Sequence, residues 1–370
     1  MACKSAEAPK YDIEIDKENY EEGVYAILAE LRPQWKKETI QFRVIAQGIV
    51  NLMVVCHVTE DCKDAVVVRV FGSLIAAVVN RDQEIKVNQL FSDMGLGATL
   101  LAVFKNGICS GFLKGKSFTF MDMDNIKDFG TARKIAKAIA AIHCNNTASQ
   151  AKELGIGKGS DFIALAAAAL EGWPIPFQDK ELEKWFYERV PKKDILKEEF
   201  AIAQGVIAEI DKETHVLCHG DLNPTNFMTE DDTGDIRLVD FECAGFNTPF
   251  SDLSTFFLIS AAGPMCTDLE SAQHSPEYHR IFLRAYLEEI RRQDGVKGDV
   301  SDREVERYYA IVDRLTIAMQ FYGMILCPSY LASNPNLTVE GMNFKQIITP
   351  FLLRWDYYVR YKDRMLSKID

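Results

Sequence analysis

At 370 residues, the chain is long enough to form two domains with substantial cores. Hydrophobic residues make up 48% and charged residues 26%, which excludes a disordered, collagenous or coiled-coil chain. The formal net charge of -12 argues against a nucleic-acid partner, because phosphate contacts require clustered Lys and Arg.

The cysteines and the apolar segments predict the cellular compartment of the protein. Nine cysteines are scattered without a Cys-x-x-Cys pair, and several lie in apolar runs, where a reduced thiol packs as a small hydrophobe. This usage favours a reducing compartment. The N-terminal sequence MACKSAEAPKYDIEIDKENY lacks the apolar region of a secretory signal, and no run of about 18 apolar residues occurs elsewhere. We therefore expect a cytoplasmic protein with no transmembrane segment.

The N-terminal part of the chain predicts a helix followed by a small antiparallel sheet. The first ten or so residues have the composition of a loose tail. Residues 18–35 carry apolar side chains at helical spacing, and Pro33 stops the helix. The β-branched runs 39–48, 50–60 and 64–72 predict a meander of three antiparallel strands.

Helical patterns dominate the rest of the chain. Residues 81–95 return to helical spacing, and residues 98–115 predict a hairpin that turns at Asn106-Gly107. The pattern then becomes mainly helical, interrupted by two short strand-like runs within residues 215–242. We therefore predict an α+β fold with two lobes, which are a small antiparallel-sheet N-terminal lobe, residues 1–115, and a large helical C-terminal lobe, residues 116–370.

Polar side chains follow both strand-like runs at the point where each run ends. In HVLCHGDLNPTNFM, residues 215–228, Asp221 and Asn226 follow the first run, and Asp240 and Glu242 follow the second. Phosphoryl transfer needs an acid that orients the acceptor hydroxyl and hard oxygen ligands for Mg²⁺. The spacing of Asp221, Asn226 and Asp240 is typical of kinases, and Glu242 would add to a second metal site. The alternative is that these residues only cap turns.

Two neighbouring residues are predicted to hold this loop rather than to react. His219 is expected to pack and to hydrogen-bond the loop that carries Asp221. Asp252, at the start of the next helical run, is expected to brace the same loop.

The N-terminal lobe offers a buried cation and a phosphate loop. Arg69 is the charged residue of the apolar run VVVRV, where an unpaired charge would be costly. Glu84, in the following helix, is its predicted partner, by analogy with the lysine–glutamate pair of protein kinases. The alternative is an arginine and a glutamate that are both exposed at the surface. Gly48 and the backbone of residues 47–53 would cradle phosphates at the turn between the first two strands.

The chain resembles the choline/ethanolamine kinases over nearly its whole length. The resemblance rests, in chain order, on LAELRPQW, GIVNLM, VVVRVFG, RDQE, NGICSGFLKG, VLCHGDLNPTNFM, VDFECAGFN and RWDYYVRYKD. It implies a protein-kinase-like fold that uses ATP and Mg²⁺ to phosphorylate the hydroxyl of an amino alcohol, the first step of phospholipid head-group synthesis. It is also compatible with a homodimer.

The resemblance implies roles for individual residues. Asp221 would be the catalytic aspartate that contacts the substrate hydroxyl, and Asn223 the polar residue of the catalytic loop. Asn226 and Asp240 would hold Mg²⁺, with help from Glu242. The nucleotide would be bound by six residues, with adenine near the last two: Gly48, Asn51, Arg69, Glu84, Phe112 and Gly115.

The chain departs from the family where the amine binds. Tyr322 and Ile325 stand where tryptophans are expected, and Ile259 stands where an acid is expected. Each cation–π contact of an aromatic cage contributes about 0.5–2 kcal/mol toward a quaternary ammonium. A site with fewer aromatic residues around the amine therefore favours ethanolamine over choline. The residues that remain to contact the substrate are Asp221, Glu242, Tyr322 and Trp355.

Two other interpretations stay open at this point. HGDLNPTN and DFECAGFNTPFSDLS are also similar to the aminoglycoside phosphotransferases, so the acceptor could be another small amine or an aminoglycoside-like metabolite. The second is a kinase-fold protein with weakened catalysis that is kept for binding. The altered amine residues favour it, whereas the intact Asp221, Asn226 and Asp240 disfavour it.

Overall fold

A computed structural model describes residues 7–47, 51–72, 79–119, 122, 126–177, 179–212, 214–262, 266–333 and 344–367. Gly48 of the predicted phosphate loop lies outside the described residues. The strands are β1 (Lys10–Tyr11), β2 (Gln41–Gln47), β3 (Asn51–His57), β4 (Val66–Phe71), β5 (Leu100–Phe104), β6 (Gly107–Gly111), β7 (Gly115–Ser117), β8 (Val216–Cys218), β9 (Phe227–Glu230), β10 (Ile236–Leu238) and β11 (Gly245–Asn247). The helices are α1 (Tyr20–Leu31), α2 (Arg81–Asp93), α3 (Phe129–His143), α4 (Asn145–Glu153), α5 (Phe162–Glu171), α6 (Lys180–Tyr187), α7 (Lys193–Ile210), α8 (Pro249–Ala261), α9 (Leu269–Ala272), α10 (Pro276–Asp294), α11 (Asp302–Ser333) and α12 (Phe344–Leu366).

The three β-branched runs form the predicted meander. Strands β2, β3 and β4 are antiparallel neighbours in a six-stranded sheet of order β1-β5-β6-β4-β3-β2. Strand β6 is antiparallel to both β4 and β5. The expectation of a loose N-terminal tail is wrong for the described residues, because Ala8 is buried and Lys10 pairs in parallel with Val103.

A hydrophobic core joins this sheet to helix α1. Val24, Ile27 and Leu28 of α1 pack in one buried cluster with Val54 and Val68 of the sheet. Each buried side chain of this kind contributes about 1.5–3 kcal/mol to folding. Almost all of β4 is buried as well. An ionised side chain in β4 therefore needs partners from the protein rather than from water.

Strands β5 and β6 form the predicted hairpin. A Cβ atom at Gly107 would overlap the carbonyl oxygen of Arg69 and the ring of Phe104. Glycine is therefore required there by lack of space. The side chain of Asn106 donates to the carbonyl oxygen of Ile15 and accepts from its N–H, at 2.8 and 3.0 Å. The turn thus also anchors the N-terminal segment.

The segment around the predicted catalytic loop contains more strands than the sequence indicates. Residues 215–242 form three short strands, β8 to β10, rather than two, and β11 follows at Gly245–Asn247. Strand β8 pairs with β11, and β9 pairs with β10 and β7. Strands of three or four residues are too short to show the alternation of apolar side chains on which the prediction depends.

The chain divides into two compact units. The first comprises Met1–Lys116, Ser149–Gly157 and Met228–Gly245, and the second comprises Ser117–Ala148, Lys158–Phe227 and Phe246–Asp370. The antiparallel-rich sheet and the many helices confirm the predicted α+β class. Within the described ranges, no helix is both long and apolar enough to cross a membrane.

Candidate active site

The loop after β8, in the second unit, presents Asp221. The amide nitrogen of Asn223 donates to Asp221 Oδ2 at 3.0 Å, and that of Asn226 donates to the same oxygen at 3.1 Å. Asn226 also donates to the Asp221 carbonyl oxygen at 2.8 Å. These bonds fix the direction of the carboxylate. Because the nitrogen of Asn226 is used in them, its Oδ1 atom is the group that it can offer to a cation.

Asp252 braces this loop from helix α8, as predicted. Its carboxylate accepts hydrogen bonds from the backbone N–H groups of His219, at 2.7 Å, and Gly220, at 2.9 Å. His143 Nε2 lies 3.0 Å from the same carboxylate, and Tyr286 Oη lies 2.9 Å from His143 Nδ1. Burial alone would raise the pKa of Asp252, but these hydrogen bonds and the neighbouring imidazoles hold it below its ordinary value.

His219 has the structural role that the sequence indicates. Its side chain is fully buried, and its Nδ1 accepts from the backbone N–H of Asp221 at 3.3 Å. His143, which holds Asp252 in place, was missed. Its partner is far away in the sequence, and the helical pattern of α3 contains no sign of the contact.

A buried ionic cluster in the first unit is centred on Arg69. The side chain of Arg69 is 9% exposed, and its Nη1 lies 3.1 Å from Glu84 Oε1, so the predicted ion pair is present. Its Nη2 lies 2.8 Å from Asp240 Oδ1 and 2.7 Å from Glu242 Oε2. Burial alone would lower the pKa of Arg69, but the three carboxylates raise it above the ordinary value. Arg69 is therefore a permanent cation surrounded by acids.

Arg81 belongs to the same cluster and was missed. Its Nη1 lies 2.6 Å from Glu84 Oε2 and 3.3 Å from Glu242 Oε2, and its guanidinium stacks over the ring of Phe71. The sequence does contain a signal for the contact between Arg81 and Glu84. Arg81 and Glu84 are three residues apart on α2, a spacing that places side chains on one helix face.

The carboxylates of this cluster have the chemistry of a magnesium site. Ligand atoms of Glu84, Asp240 and Glu242 all lie within 4.8 Å of one another, and carboxylate oxygens are the ligands that Mg²⁺ prefers. Burial, and next the negative charge of Asp240, raises the pKa of Glu242, which Arg69 and Arg81 partly offset. Added positive charge would relieve this repulsion, so the residues present fit a divalent cation.

The other predicted nucleotide residues are in the first unit as well. Asn51 Nδ2 lies 3.4 Å from Glu242 Oε2, which adds Asn51 to the cluster. Phe112 packs beside Val55, Ala65 and Val67, in a hydrophobic cluster that is distinct from the ionic one. A Cβ at Gly115 would overlap the carbonyl oxygen of Thr229, so the pairing of β7 with β9 explains this glycine.

The predicted amine residues Tyr322 and Trp355 lie on α11 and α12. The ring of Tyr322 is fully buried, 5.2 Å from that of Phe200 and 5.6 Å from that of Phe321. Its hydroxyl is buried without a hydrogen-bond partner among the described residues. Trp355 is half-buried, 6.4 Å from the ring of Phe321 and 5.9 Å from that of Tyr358. Phe321 thus links the two predicted residues.

Known proteins are similar to this chain in sequence and in fold. The family model for choline/ethanolamine kinase matches residues 42–326. Ethanolamine kinase 1 of Mus musculus is 28% identical over 322 residues, which are 86% of this chain and 85% of the relative.

Solved structures of related kinases have the same fold. An ethanolamine kinase of Plasmodium vivax covers 96% of this chain and 92% of its own, with a TM-score of 0.68 and 16% identity. The choline kinase LicA of Streptococcus pneumoniae, solved in complex with AMP, covers 93% of this chain and 98% of its own, with a TM-score of 0.53 and 16% identity. The predicted protein-kinase-like fold is confirmed.

Proposed function

Because the chain belongs to the choline/ethanolamine kinase family, we propose that it transfers the terminal phosphoryl group of ATP to the hydroxyl of a small amino alcohol. Ethanolamine is the preferred acceptor, and the reaction is the first step of phospholipid head-group synthesis. The observation that carries this proposal is the geometry of the loop around Asp221. Two side-chain amides orient the Asp221 carboxylate, and the buried Asp252 braces the backbone just before it. The ethanolamine kinase of the mouse among the relatives supports the acceptor.

Asp221 is the proposed general base. It accepts the hydrogen bond of the substrate hydroxyl and takes its proton as the bond to phosphorus forms. A carboxylate that is already oriented loses no side-chain freedom when the substrate arrives, which lowers the cost of reaching the reactive geometry. Asn223 contributes by holding Asp221 Oδ2.

Asn226, Asp240 and Glu242 are the proposed metal ligands. Bound Mg²⁺ would neutralise the charge on the phosphate oxygens during transfer. Asp240 already has a preset direction, because its Oδ1 lies 2.8 Å from Arg69 Nη2. Asn226 offers its Oδ1 atom. Burial and the negative charges of Asp240 and Glu84 disfavour the ionised form of Glu242, and a bound cation would stabilise that form.

The first lobe, residues 1–115, is proposed to bind the nucleotide, and residues 116–370 to provide catalysis and acceptor binding. Arg69, held by Glu84, would face the phosphates, with Asn51 and Gly48 in the phosphate loop. Phe112 and Gly115 would be near the adenine. A cytoplasmic location and a homodimer complete the proposal.

The preference for ethanolamine rests on the difference between two ammonium groups. A primary ammonium donates hydrogen bonds, whereas a trimethylammonium relies on aromatic faces. Tyr322 Oη is a buried acceptor without a partner in the described part of the chain. Leaving such a group unsatisfied costs about 1–3 kcal/mol. An ethanolamine ammonium that reaches Tyr322 would recover this energy, and choline would not. Since Tyr322 is fully buried, neighbouring side chains must move for this contact.

The test is ATP consumption with Mg²⁺ across ethanolamine, N-methylethanolamine, choline and kanamycin, with ³¹P NMR to identify the product. We expect phosphoethanolamine and the highest kcat/KM for ethanolamine. A higher kcat/KM for kanamycin would replace this function with an aminoglycoside phosphotransferase activity. ATP binding without any product would indicate a kinase fold kept for binding.

A further inference from the structure

A cavity lies in the second unit and is lined by residues outside the proposed catalytic loop. It is close to the start of that loop, because Cys218 Sγ lies 3.4 Å from the carbonyl oxygen of Thr248. The volume of the cavity is about 280 Å³, and its wall is formed by the start of α5, the end of α7, strand β11, the start of α8 and the middle of α11. Neither Asp221 nor Tyr322 lines it. The volume is close to the lower end of the range for small-molecule pockets, about 300–1,000 Å³.

The inner part of the cavity contains a buried hydroxyl without a partner. Thr248, the residue before α8, lines the cavity and is only 3% exposed. Its Oγ1 atom has no hydrogen-bond partner among the described residues. A hydroxyl buried in this way costs about 1–3 kcal/mol, so a ligand that bonds to it recovers that energy. Thr248 therefore points to a ligand with a polar group at its inner end.

The walls and the rim of the cavity differ in character. Apolar side chains, among them Phe162, Ile207 and Leu315, form the walls. The exposed carboxylates of Asp161 and Asp211 stand at the rim. The formal charges of Asp161, Asp211 and Lys158 in the lining sum to -1, and the Asp211 carboxylate also lies 3.0 Å from His215 Nε2. A ligand with an apolar body and a cationic outer end would match this distribution.

We propose that this cavity is a binding site for a small organic amine that carries a hydroxyl at the opposite end of an apolar body. The hydroxyl bonds to Thr248 Oγ1, the body packs against the apolar walls, and the ammonium lies near Asp161 and Asp211. Binding here does not depend on the proposed kinase reaction, because no residue assigned to that reaction lines the cavity.

Tyramine is a suitable probe, because it has a phenolic hydroxyl, an apolar ring and an ammonium group. Phenethylamine lacks the hydroxyl, and 3-(4-hydroxyphenyl)propionate replaces the cation by an anion. A ligand of this size is expected to bind with a Kd of about 1 mM. Binding to the full chain would be measured by calorimetry and by ¹H–¹⁵N NMR shifts. The expected order of affinity is tyramine, then phenethylamine, then the propionate.

Two variants separate this site from other amine sites. Ala208 is exposed at the cavity, so Ala208→Trp should fill the cavity without disturbing the core, and should abolish tyramine binding. Thr248→Val preserves the shape and removes the hydroxyl. It should weaken tyramine about tenfold and leave phenethylamine within about twofold. Thermal unfolding of both variants would verify that the fold is intact.

Three results would overturn the proposal. The first is the absence of NMR shifts around Thr248 and Leu315 at about 10 mM tyramine, ten times the expected Kd. The second is a tyramine Kd that is unchanged in Ala208→Trp. The third is equal binding of tyramine and the propionate, which would remove the role of the acidic rim.

Discussion

Arg69 and Asp240 form an ion pair, with 2.8 Å between Nη2 and Oδ1. Asp240 holds this contact in a left-handed backbone conformation, with φ 67° and ψ 68°. A residue other than glycine in this region is uncommon and costs of order 1–3 kcal/mol. The ion pair therefore accompanies a strained backbone that aims one carboxylate in a set direction. A preset ligand of this kind suits a metal that must be bound in one geometry.

The Arg69 cluster predicts a strong dependence of stability on this single cation. Arg69→Met should lower the free energy of unfolding by about 3–5 kcal/mol, because it leaves Glu84, Asp240 and Glu242 facing one another without their buried partner. Urea denaturation at pH 7 measures the loss. Adding Glu84→Gln to Arg69→Met should restore part of the stability. Strictly additive losses in the double variant would show that the two residues are not coupled.

Asp221→Asn tests the proposed general base. We expect kcat for ethanolamine to fall by a factor of about 10²–10⁴, because the amide has a similar shape but cannot take the proton. ATP affinity and the free energy of unfolding should change little. The matched control is Asp232→Asn at an exposed position, which should keep full activity. Turnover near the normal value in Asp221→Asn would contradict the mechanism.

Asp240→Asn tests the proposed metal site. The concentration of Mg²⁺ required for half-maximal activity should rise at least about tenfold, because a neutral amide is a weaker ligand than a carboxylate. Activity as a function of Mg²⁺ concentration provides the measurement. Asp235→Asn, which changes an exposed carboxylate near the β9–β10 turn, is the control and should not shift the curve. An unchanged requirement in Asp240→Asn would remove Asp240 from the metal site.

Asp252 predicts how stability depends on acid. Since its pKa is lowered in the folded protein, its carboxylate contributes stability above the unfolded pKa of about 3.9, and this contribution is lost as pH falls through the lower folded pKa. Asp252→Asn should cost about 3 kcal/mol of unfolding free energy at pH 7. The difference from the native chain should shrink below about pH 4.

Urea denaturation curves between pH 3 and pH 7 give the free energy of unfolding at each pH. Its difference between the native chain and Asp252→Asn should change with pH as expected for the titration of one aspartate. Asp356→Asn, at an exposed position on α12, is the control and should follow the native chain at every pH. Asp252→Asn should also lose activity. The N–H groups of His219 and Gly220 bond to different oxygens of Asp252, and asparagine keeps only one acceptor oxygen. A difference in unfolding free energy between Asp252→Asn and the native chain that stays constant from pH 3 to pH 7 would show that the pKa of Asp252 is not lowered in the folded protein.

Tyr322→Phe tests the basis of acceptor preference. Loss of one hydrogen bond to the ammonium should lower kcat/KM for ethanolamine about five- to tenfold, while kcat/KM for choline stays nearly constant. Stability should be equal or slightly higher, because a buried hydroxyl without a partner is removed. Tyr309→Phe on the same helix is the control. An equal loss for both acceptors would mean that Tyr322 supports the packing and does not select the amine.

Much of the fold and part of the site could be predicted from local patterns. The meander of β2 to β4, the hairpin at Asn106-Gly107 and helix α2 follow from alternation, turn chemistry and helical spacing within one segment. The loop around Asp221 is local in the same sense, because Asn223 and Asn226, two and five residues later, supply its hydrogen bonds. The predictions of these strands, this hairpin and this helix are confirmed because the interacting groups are close in the sequence.

The sequence by itself therefore determined the α+β class, the strand-end acids and the pairing of a buried Arg69 with Glu84. Only the tertiary structure decided that Arg81 joins Glu242, that His143 supports Asp252, and that the hydroxyl of Tyr322 is buried without a partner in the described ranges. The physical reason is that spacing and periodicity describe which side of its own element a residue occupies. The partner on that side is set by how distant elements pack together, and by the need of each buried charge for an opposite one.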